Sequence, residues 1–244
     1  RIIIQGLGNV GYHAALFLSK EDNAIITHVL ERDGGIVDQD GIDVIALRQH
    51  IITTGSIKDF KGYTNAGSEL LESEADILIP AAMELVITKN NASKIKAPII
   101  VEAANGPLSA DADEILNKKG KVIIPDLYAN AGGVTVSYFE WIKNLSRIRF
   151  GRLQRRAQEN QLSSLIAGIE DLVHSKFPNE FRDEIVKGDS ELDLVRSGLE
   201  DTMKSSYKII SDVWNSSSKI PDLRTAAMMV AIKRVAQGYT SLGI

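Results

Sequence analysis

The 244-residue sequence predicts an α/β chain: a doubly wound, mostly parallel sheet carrying an inserted helical segment and C-terminal helices. Three observations predict it. Short β-branched runs alternate with helical periods over residues 1–126, a glycine-rich turn follows the first run, and strand signals cease after residue 132. Such alternation favours a parallel sheet wound by right-handed crossovers.

The runs are Arg1–Gln5, Ala24–Leu30, Asp76–Ile79, Pro98–Val101 and Lys121–Ile124. Each is almost continuously apolar and bounded by Gly, Pro, Asn or Asp, the pattern of strands covered on both faces. Between them, Val10–Lys20, Val44–Thr53 and Ala110–Lys118 carry apolar residues at helical spacing. Asp111 reads as the N-cap of the last, with Glu114 as its capping-box partner and Gly120 as its stop. Later helices are expected over Gly133–Leu145, Leu153–Phe177, Leu192–Asn215 and Leu223–Tyr239. Pro178-Asn179 breaks the second of these, and a polar segment then runs to Gly188-Asp189-Ser190. Because the first strand has no lead-in, the chain is expected to be part of a longer protein.

Composition narrows the function classes. There is no Cys, which excludes a disulfide scaffold, a thiolate zinc site and a cysteine nucleophile. Against 32 Asp+Glu stand 28 Lys+Arg, a formal net charge of −4, which argues against nucleic acid as a partner. No stretch approaches the roughly 18 apolar residues of a membrane span, so a membrane is not expected either. His13, His28, His50 and His174 do not cluster, and no metal-ligand pattern stands out. The acidic run Glu72, Glu74 and Asp76 reads as a solvated face. The basic cluster Arg147, Arg149, Arg152, Arg155 and Arg156 reads as a solvated or subunit-facing surface.

The strongest local motif is Gly6-Leu7-Gly8-Asn9-Val10-Gly11, directly after the first strand and opening the first helix. Gly6 permits the tight turn, Gly8 the approach of a pyrophosphate to the backbone, and Gly11 close packing of helix on strand. Phosphates would then rest on the unpaired N–H groups of the helix's positive end. Glu31 lies 20 residues beyond Gly11, where a carboxylate accepts bonds from the adenine ribose hydroxyls. Dinucleotide binding on a Rossmann-like sheet follows. Glu31 favours NAD, because a carboxylate repels a 2′-phosphate. Arg32 beside it either pairs with that phosphate, stacks on adenine or points into solvent, so both NAD and NADP stay open as cofactor. Further small residues and asparagines stand at strand ends: Ala81 and Ala82, Asn105 in Glu102–Pro107, and Asn130 in Pro125–Asn130. Each Asn offers the donors and the acceptor that a nicotinamide amide and its ribose require, and each is also an ordinary turn residue.

These segments carry a resemblance. Gln5–Gly11, Asp40–Asp43, Asp76–Ala82, Glu102–Pro107, Pro125–Tyr128, Asn130–Trp141 and Asp222–Ala227 closely resemble the C-terminal, nucleotide-binding part of glutamate dehydrogenase, and the likeness spans essentially the whole chain. It implies that Gly6, Gly8, Asn9, Val10 and Gly11 hold the pyrophosphate and that Glu31 holds the adenosine ribose. It further implies that Ala82 lines the ribose site, Asn105 and Asn130 place the nicotinamide, and Val134 and Ser137 contact glutamate. Ser137 reads alternatively as a helix hydroxyl bonded to its own backbone. The family's catalytic lysine and aspartate lie in an N-terminal domain absent here, so no catalytic residue is expected in this chain, and the piece alone should bind cofactor without turnover.

Leu162, Leu165, Ile166, Ile169, Leu172, Val173 and Phe177 form an apolar stripe that must be buried against something. It packs either on this chain's own core or, as the resemblance implies, in the projecting antenna of animal-type and ciliate-type members, whose antennae wrap together in a hexamer. On this reading residues 1–146 form the dinucleotide-binding domain, 147–196 the antenna, and 197–244 the pivot and C-terminal helices. Bacterial members and the leucine, valine and phenylalanine dehydrogenases would lack the insertion, and a mitochondrial matrix location follows. Leu192 and Arg196 depart from the animal pattern at the nucleotide-regulated segment, which puts GTP inhibition in doubt. The expected activity is oxidation of L-glutamate to 2-oxoglutarate and ammonia with NAD(P). The rivals are a sister amino-acid dehydrogenase and a non-catalytic NAD-sensing Rossmann module.

Overall fold

The computed structural model describes residues 1–146, 152–186 and 191–243. It divides into two compact units, Arg1–Ala131 with Tyr207–Ile244, and Gly132–Ser206.

The first unit is built on a seven-stranded sheet. Its elements are β1 (Ile2–Gln5), α1 (Asn9–Lys20), β2 (Ile26–Glu31), β3 (Gly34–Val37), α2 (Val44–Thr54), β4 (Tyr63–Thr64), β5 (Ile77–Pro80), β6 (Ile99–Val101), α3 (Ala110–Lys118), β7 (Val122–Ile124) and the single turn α4 (Asp126–Ala129). The strand order is β4-β3-β2-β1-β5-β6-β7. β1 pairs in parallel with β2 on one side and β5 on the other, and β6 and β7 continue the parallel run. The winding therefore reverses between β1 and β5, which opens a crevice at their carboxyl ends.

Alternation along β1 sends its side chains to opposite faces. Ile2 and Ile4 join Ala15 of α1 and Leu47 of α2 in one core, and Ile3 joins Leu78, Ile100, Ala112 and Leu116 in the other. Both faces are covered, as the continuous apolar runs predict. All five expected strands form, with two antiparallel strands added at one edge. β3 follows β2 through a two-residue turn at Arg32-Asp33, and β4 pairs with β3.

Helix boundaries follow local chemistry, and one expected cap is corrected. α3 begins at Ser109, whose side chain accepts the Ala112 amide at 3.2 Å. Asp111 therefore lies inside the first turn, where its charge faces the positive helix end, and Glu114 pairs with Lys118 at 2.6 Å instead of closing a capping box. Gly120 does take up the left-handed conformation that follows a helix end, at φ +71°. α2 is capped by Asp43 and closed by Gly55 at φ +75°. The acidic run is ion-paired at the surface, Glu72 with Lys94 and Glu74 with Lys96.

The second unit is helical. It draws on α5 (Ala131–Ser146), α6 (Arg152–Val173), α7 (Asn179–Val186) and the beginning of α8 (Glu191–Asn215). The polar segment after Pro178 thus forms a helix over Asn179–Val186, where the sequence reads as polar chain. Inside this unit Phe139 packs on Gly198, and Ile166 is buried. The basic cluster Arg147, Arg149, Arg152, Arg155 and Arg156, and the turn at 187–190, fall outside the described residues and side chains. In the first unit α9 (Leu223–Ser241) follows α8, and Ile210 packs there with Leu223, Ala226 and Ala227.

A clasp closes the turn between α6 and α7. Glu170, buried, accepts from Lys176 Nζ at 2.9 Å and from the Phe177 amide at 3.0 Å, with Arg182 at 3.6 Å. The bond to Lys176, then that to the Phe177 amide, holds its carboxyl below the ordinary value of 4.5. Folding lowers this pKa, so the ionised clasp stabilises the turn above pH 4.5 and loses that contribution as pH falls below it. Hydrogen exchange is expected to show the Phe177 amide losing protection as pH falls below 4.5. Protection that stays unchanged as the pH is lowered would contradict this.

Candidate functional site

The glycine turn sits at the reversal point of the sheet. Gly6 adopts φ +89°, and a Cβ there would lie 2.5 Å from that of Ala82. Gly11 is buried so closely under the turn that a Cβ would lie 1.8 Å from the Gly6 carbonyl oxygen. Gly8 differs: it is the N-cap of α1, and a Cβ there would meet nothing within 4 Å. No side chain caps the helix at this end. The first-turn amides, which a helix cannot satisfy internally, therefore face open space.

Two side chains fasten the turn. Glu31, at the end of β2, accepts the Leu7 amide through Oε1 at 2.5 Å and lines a crevice beside the turn. Arg48 of α2 donates to the Leu7 carbonyl at 2.8 Å and lies over the Tyr12 ring. Apart from the glycine turn, in the turn between β2 and β3, Asp33 accepts from the Ser56 hydroxyl, and that bond above all holds the Asp33 carboxyl below its ordinary value.

Two crevices flank the turn and share Ala82. One, of about 560 Å³, lies over the ends of β1 and β2 and is lined by Gln5, Gly6, Glu31, Arg32, Asp33, Ser56, Ile57 and Met83, among others. Gln5 Oε1 is buried without a hydrogen-bond partner, which marks a place where a donor is wanted. The other, of about 550 Å³, lies over β5 and β6 and is lined by Val10, Ala81, Ala82, Glu84, Ala103, Ala104, Asn105 and Asn130. There Asn130 Nδ2 donates to Asn105 Oδ1 at 2.5 Å. The remaining amide group of Asn105 and carbonyl of Asn130 have no protein partner among the described residues, so one donor and one acceptor stand at the opening.

The structure thus gathers Gly6, Gly8, Asn9, Val10, Gly11, Glu31, Arg32, Ala81, Ala82, Asn105 and Asn130 around one reversal point. Asn9, Val10 and Arg32 are exposed, and Glu31 is half-buried. Val134 and Ser137 stand on α5 in the second unit, both exposed, and the Ser137 hydroxyl donates to the Gly133 carbonyl at 3.1 Å. The histidines remain apart: His28 is buried and its pKa lowered by burial, His13 bonds the Asn9 carbonyl and His50 the Lys58 carbonyl. Among the described residues no group of three His, Asp or Glu is placed to hold a metal. Sequence reasoning missed Gln5, Asp33, Arg48 and Ser56. For the Asp33 turn the Asp-Gly-Gly string was a readable hairpin signal; for the others no local signal exists.

The sequence model of the Glutamate/Leucine/Phenylalanine/Valine dehydrogenase family matches residues 1–178. The chain belongs to this family. Among curated members it is similar to a probable glutamate dehydrogenase of Sinorhizobium fredii, 48% identical over 96% of this chain and 53% of that protein. It is also similar to the mitochondrial glutamate dehydrogenase of Dictyostelium discoideum, 45% identical over 99% of this chain and 48% of that protein. The chain thus spans about half the length of the curated dehydrogenases it matches. Among solved structures, the hetero-hexameric glutamate dehydrogenase of Thermus thermophilus superposes with a TM-score of 0.71 over the whole of this chain and 48% of its own, at 24% identity, a likeness of fold.

Proposed function

We propose that this chain is the dinucleotide-binding part of a glutamate dehydrogenase, which converts L-glutamate, water and NAD(P)⁺ to 2-oxoglutarate, ammonium, NAD(P)H and a proton. The observation that carries the reading is the uncapped start of α1, where Gly8 leaves open space beside free helix amides. The orphaned Gln5 oxygen and the donor–acceptor pair of Asn105 and Asn130 fit a dinucleotide lying across the reversal point. The names of the relatives favour glutamate among the four substrates of the family.

When bound, the nicotinamide supplies the hydride acceptor. The chain's own groups bind and orient. Amides of Gly8, Asn9 and Val10 take the pyrophosphate at the positive helix end. Glu31 accepts from the adenosine ribose, and Ala81 and Ala82 keep the floor between the crevices low. Asn105 and Asn130 hold the carboxamide. Val134 and Ser137 are proposed to meet glutamate, Ser137 by exchanging its bond to Gly133. The catalytic lysine and aspartate that the resemblance implies are proposed to lie in an N-terminal domain outside this chain, so the chain alone is expected to bind but not to oxidise glutamate.

Residues 147–196 are proposed as an antenna that meets its copies in a hexamer. The match to the Sinorhizobium protein leaves out only 4% of this chain, so it runs through this segment in a bacterial relative. The segment alone therefore assigns no compartment; the name of the Dictyostelium relative is what supports a mitochondrial matrix location.

The test is a fluorescence titration with NADH, expected to give a saturable enhancement of nicotinamide emission. No saturable signal would contradict the reading. Glu31 supplies a second check. A carboxylate repels a 2′-phosphate and bonds a free ribose, so Glu31→Ser is expected to shift the NADPH-to-NADH affinity ratio toward NADPH by about tenfold. An unchanged ratio would place Glu31 away from the ribose.

A further inference from the structure

Two loops carry the asparagines of the β6-side crevice, residues 102–108 after β6 and 125–130 after β7. They are tied at their tips by the Asn130–Asn105 bond. A second tie lies at their base and comes from the far end of the chain. Arg224, in the first turn of α9, donates from Nη2 to Glu102 Oε1 at 2.7 Å and from Nη1 to Asp126 Oδ1 at 3.2 Å. Nε and Nη2 also donate to Asp113 Oδ1 of α3, at 3.2 and 3.0 Å.

The carboxylates pass this tie on to the loop backbones. Glu102 is buried, and its Oε2 accepts the Asp126 amide at 2.7 Å. Asp126 Oδ2 accepts the Gly106 amide at 2.8 Å, next to Asn105. Asp126 also opens α4, whose carboxyl-terminal cap is Asn130, with the Asn130 amide donating to the Asp126 carbonyl at 3.1 Å. One guanidinium thus reaches Asn105 through Asp126 and Gly106, and Asn130 through Asp126 and α4. Its own position is set by Asp222, which caps α9 by accepting the Thr225 amide at 2.7 Å.

The arrangement is unfavourable as mere fastening. A single positive charge faces three carboxylates, and burial pushes the Glu102 carboxyl up against the pull of Arg224. Apolar residues would hold two loops together without that desolvation. What the fork adds is direction, since a planar guanidinium fixes its acceptors at set angles.

We propose that Arg224 is a positioning residue for the nicotinamide end of the dinucleotide, holding the Asn105 and Asn130 loops in register through Glu102 and Asp126. The proposal rests on the dinucleotide reading above.

The test compares NADH with ADP-ribose, which lacks the nicotinamide, on this chain. The unmodified chain is expected to bind NADH more tightly and to brighten its emission. Arg224→Met is expected to weaken NADH by about tenfold and dim the bound emission, with ADP-ribose held within about twofold. Asp126→Asn is expected to act in the same direction and serves if Arg224→Met does not fold. Asp113→Asn takes a carboxylate from the same guanidinium without touching either loop, so it should leave the ratio of the two affinities unchanged. Equal weakening of both ligands, a folded Arg224→Met chain with unaltered NADH affinity, or an Asp113→Asn effect as large as that of Asp126→Asn would overturn the proposal. So would equal affinity of the unmodified chain for both ligands. Binding of neither would instead refute the dinucleotide reading, and this proposal with it.

Discussion

A Gly8→Ala chain is expected to melt within about 1 °C of its parent and yet to bind NADH about a hundredfold more weakly. The two halves of that expectation have separate causes. Gly8 has φ −67° and ψ −163°, a conformation open to alanine, and an added Cβ would meet no atom of the protein within 4 Å. Folding therefore has nothing to lose. The space such a methyl would fill is the space in front of the first-turn amides of α1, where a pyrophosphate must come into hydrogen-bond range. A hundredfold loss corresponds to about 2.7 kcal/mol, the scale of one or two charge-assisted bonds lengthened beyond use. Calorimetric melting and an NADH titration on the same sample decide it. A stable variant with parental affinity would mean that the open space serves no ligand.

Gly11→Ala should fail in the opposite way. A Cβ at Gly11 would stand 1.8 Å from the Gly6 carbonyl oxygen and 2.9 Å from its carbon. Those are backbone atoms of the turn itself, so relief requires α1 to move off β1 or the turn to unwind. Overpacking of this kind costs about 3 kcal/mol, which for a chain of this size lowers the melting temperature by about 6–12 °C. NADH binding should fall with it, because the helix end and the turn are displaced together. Thermal unfolding followed by circular dichroism checks the first part, and a melting temperature unchanged from the parent would show that the helix and turn are not in the close contact described. Taken together, the two alanine variants separate the glycine that serves the fold from the one that serves a ligand.

The parallel sheet was legible because buried strands must be continuously apolar, as Ile2–Ile4 and Ile77–Ile79 are. The antiparallel edge was legible only at its turn, Asp33-Gly34-Gly35. β3 begins with two glycines and β4 has only two residues, so neither has enough side chains to show a period. α7 was hidden for a related reason, since eight residues with Glu180, Arg182, Asp183 and Glu184 among them read as polar loop. Ser109 and Asp111 are both competent caps, and sequence spacing did not choose between them. At the site, the glycine turn and Glu31 announce themselves because their spacing is local. Arg224 does not: it meets Glu102 across 122 residues and Asp126 across 98, and only the fold brings them together.

The claim on which the account depends is that a diphosphate rests against the free amides at the start of α1. Backbone amide shifts of the ¹⁵N-labelled chain, followed during an NADH titration, test it most directly. Large, saturable shifts are expected at Gly8, Asn9 and Val10, with smaller ones at Glu31 and in the Asn105 and Asn130 loops. Saturable binding that left those three amides unmoved would contradict it.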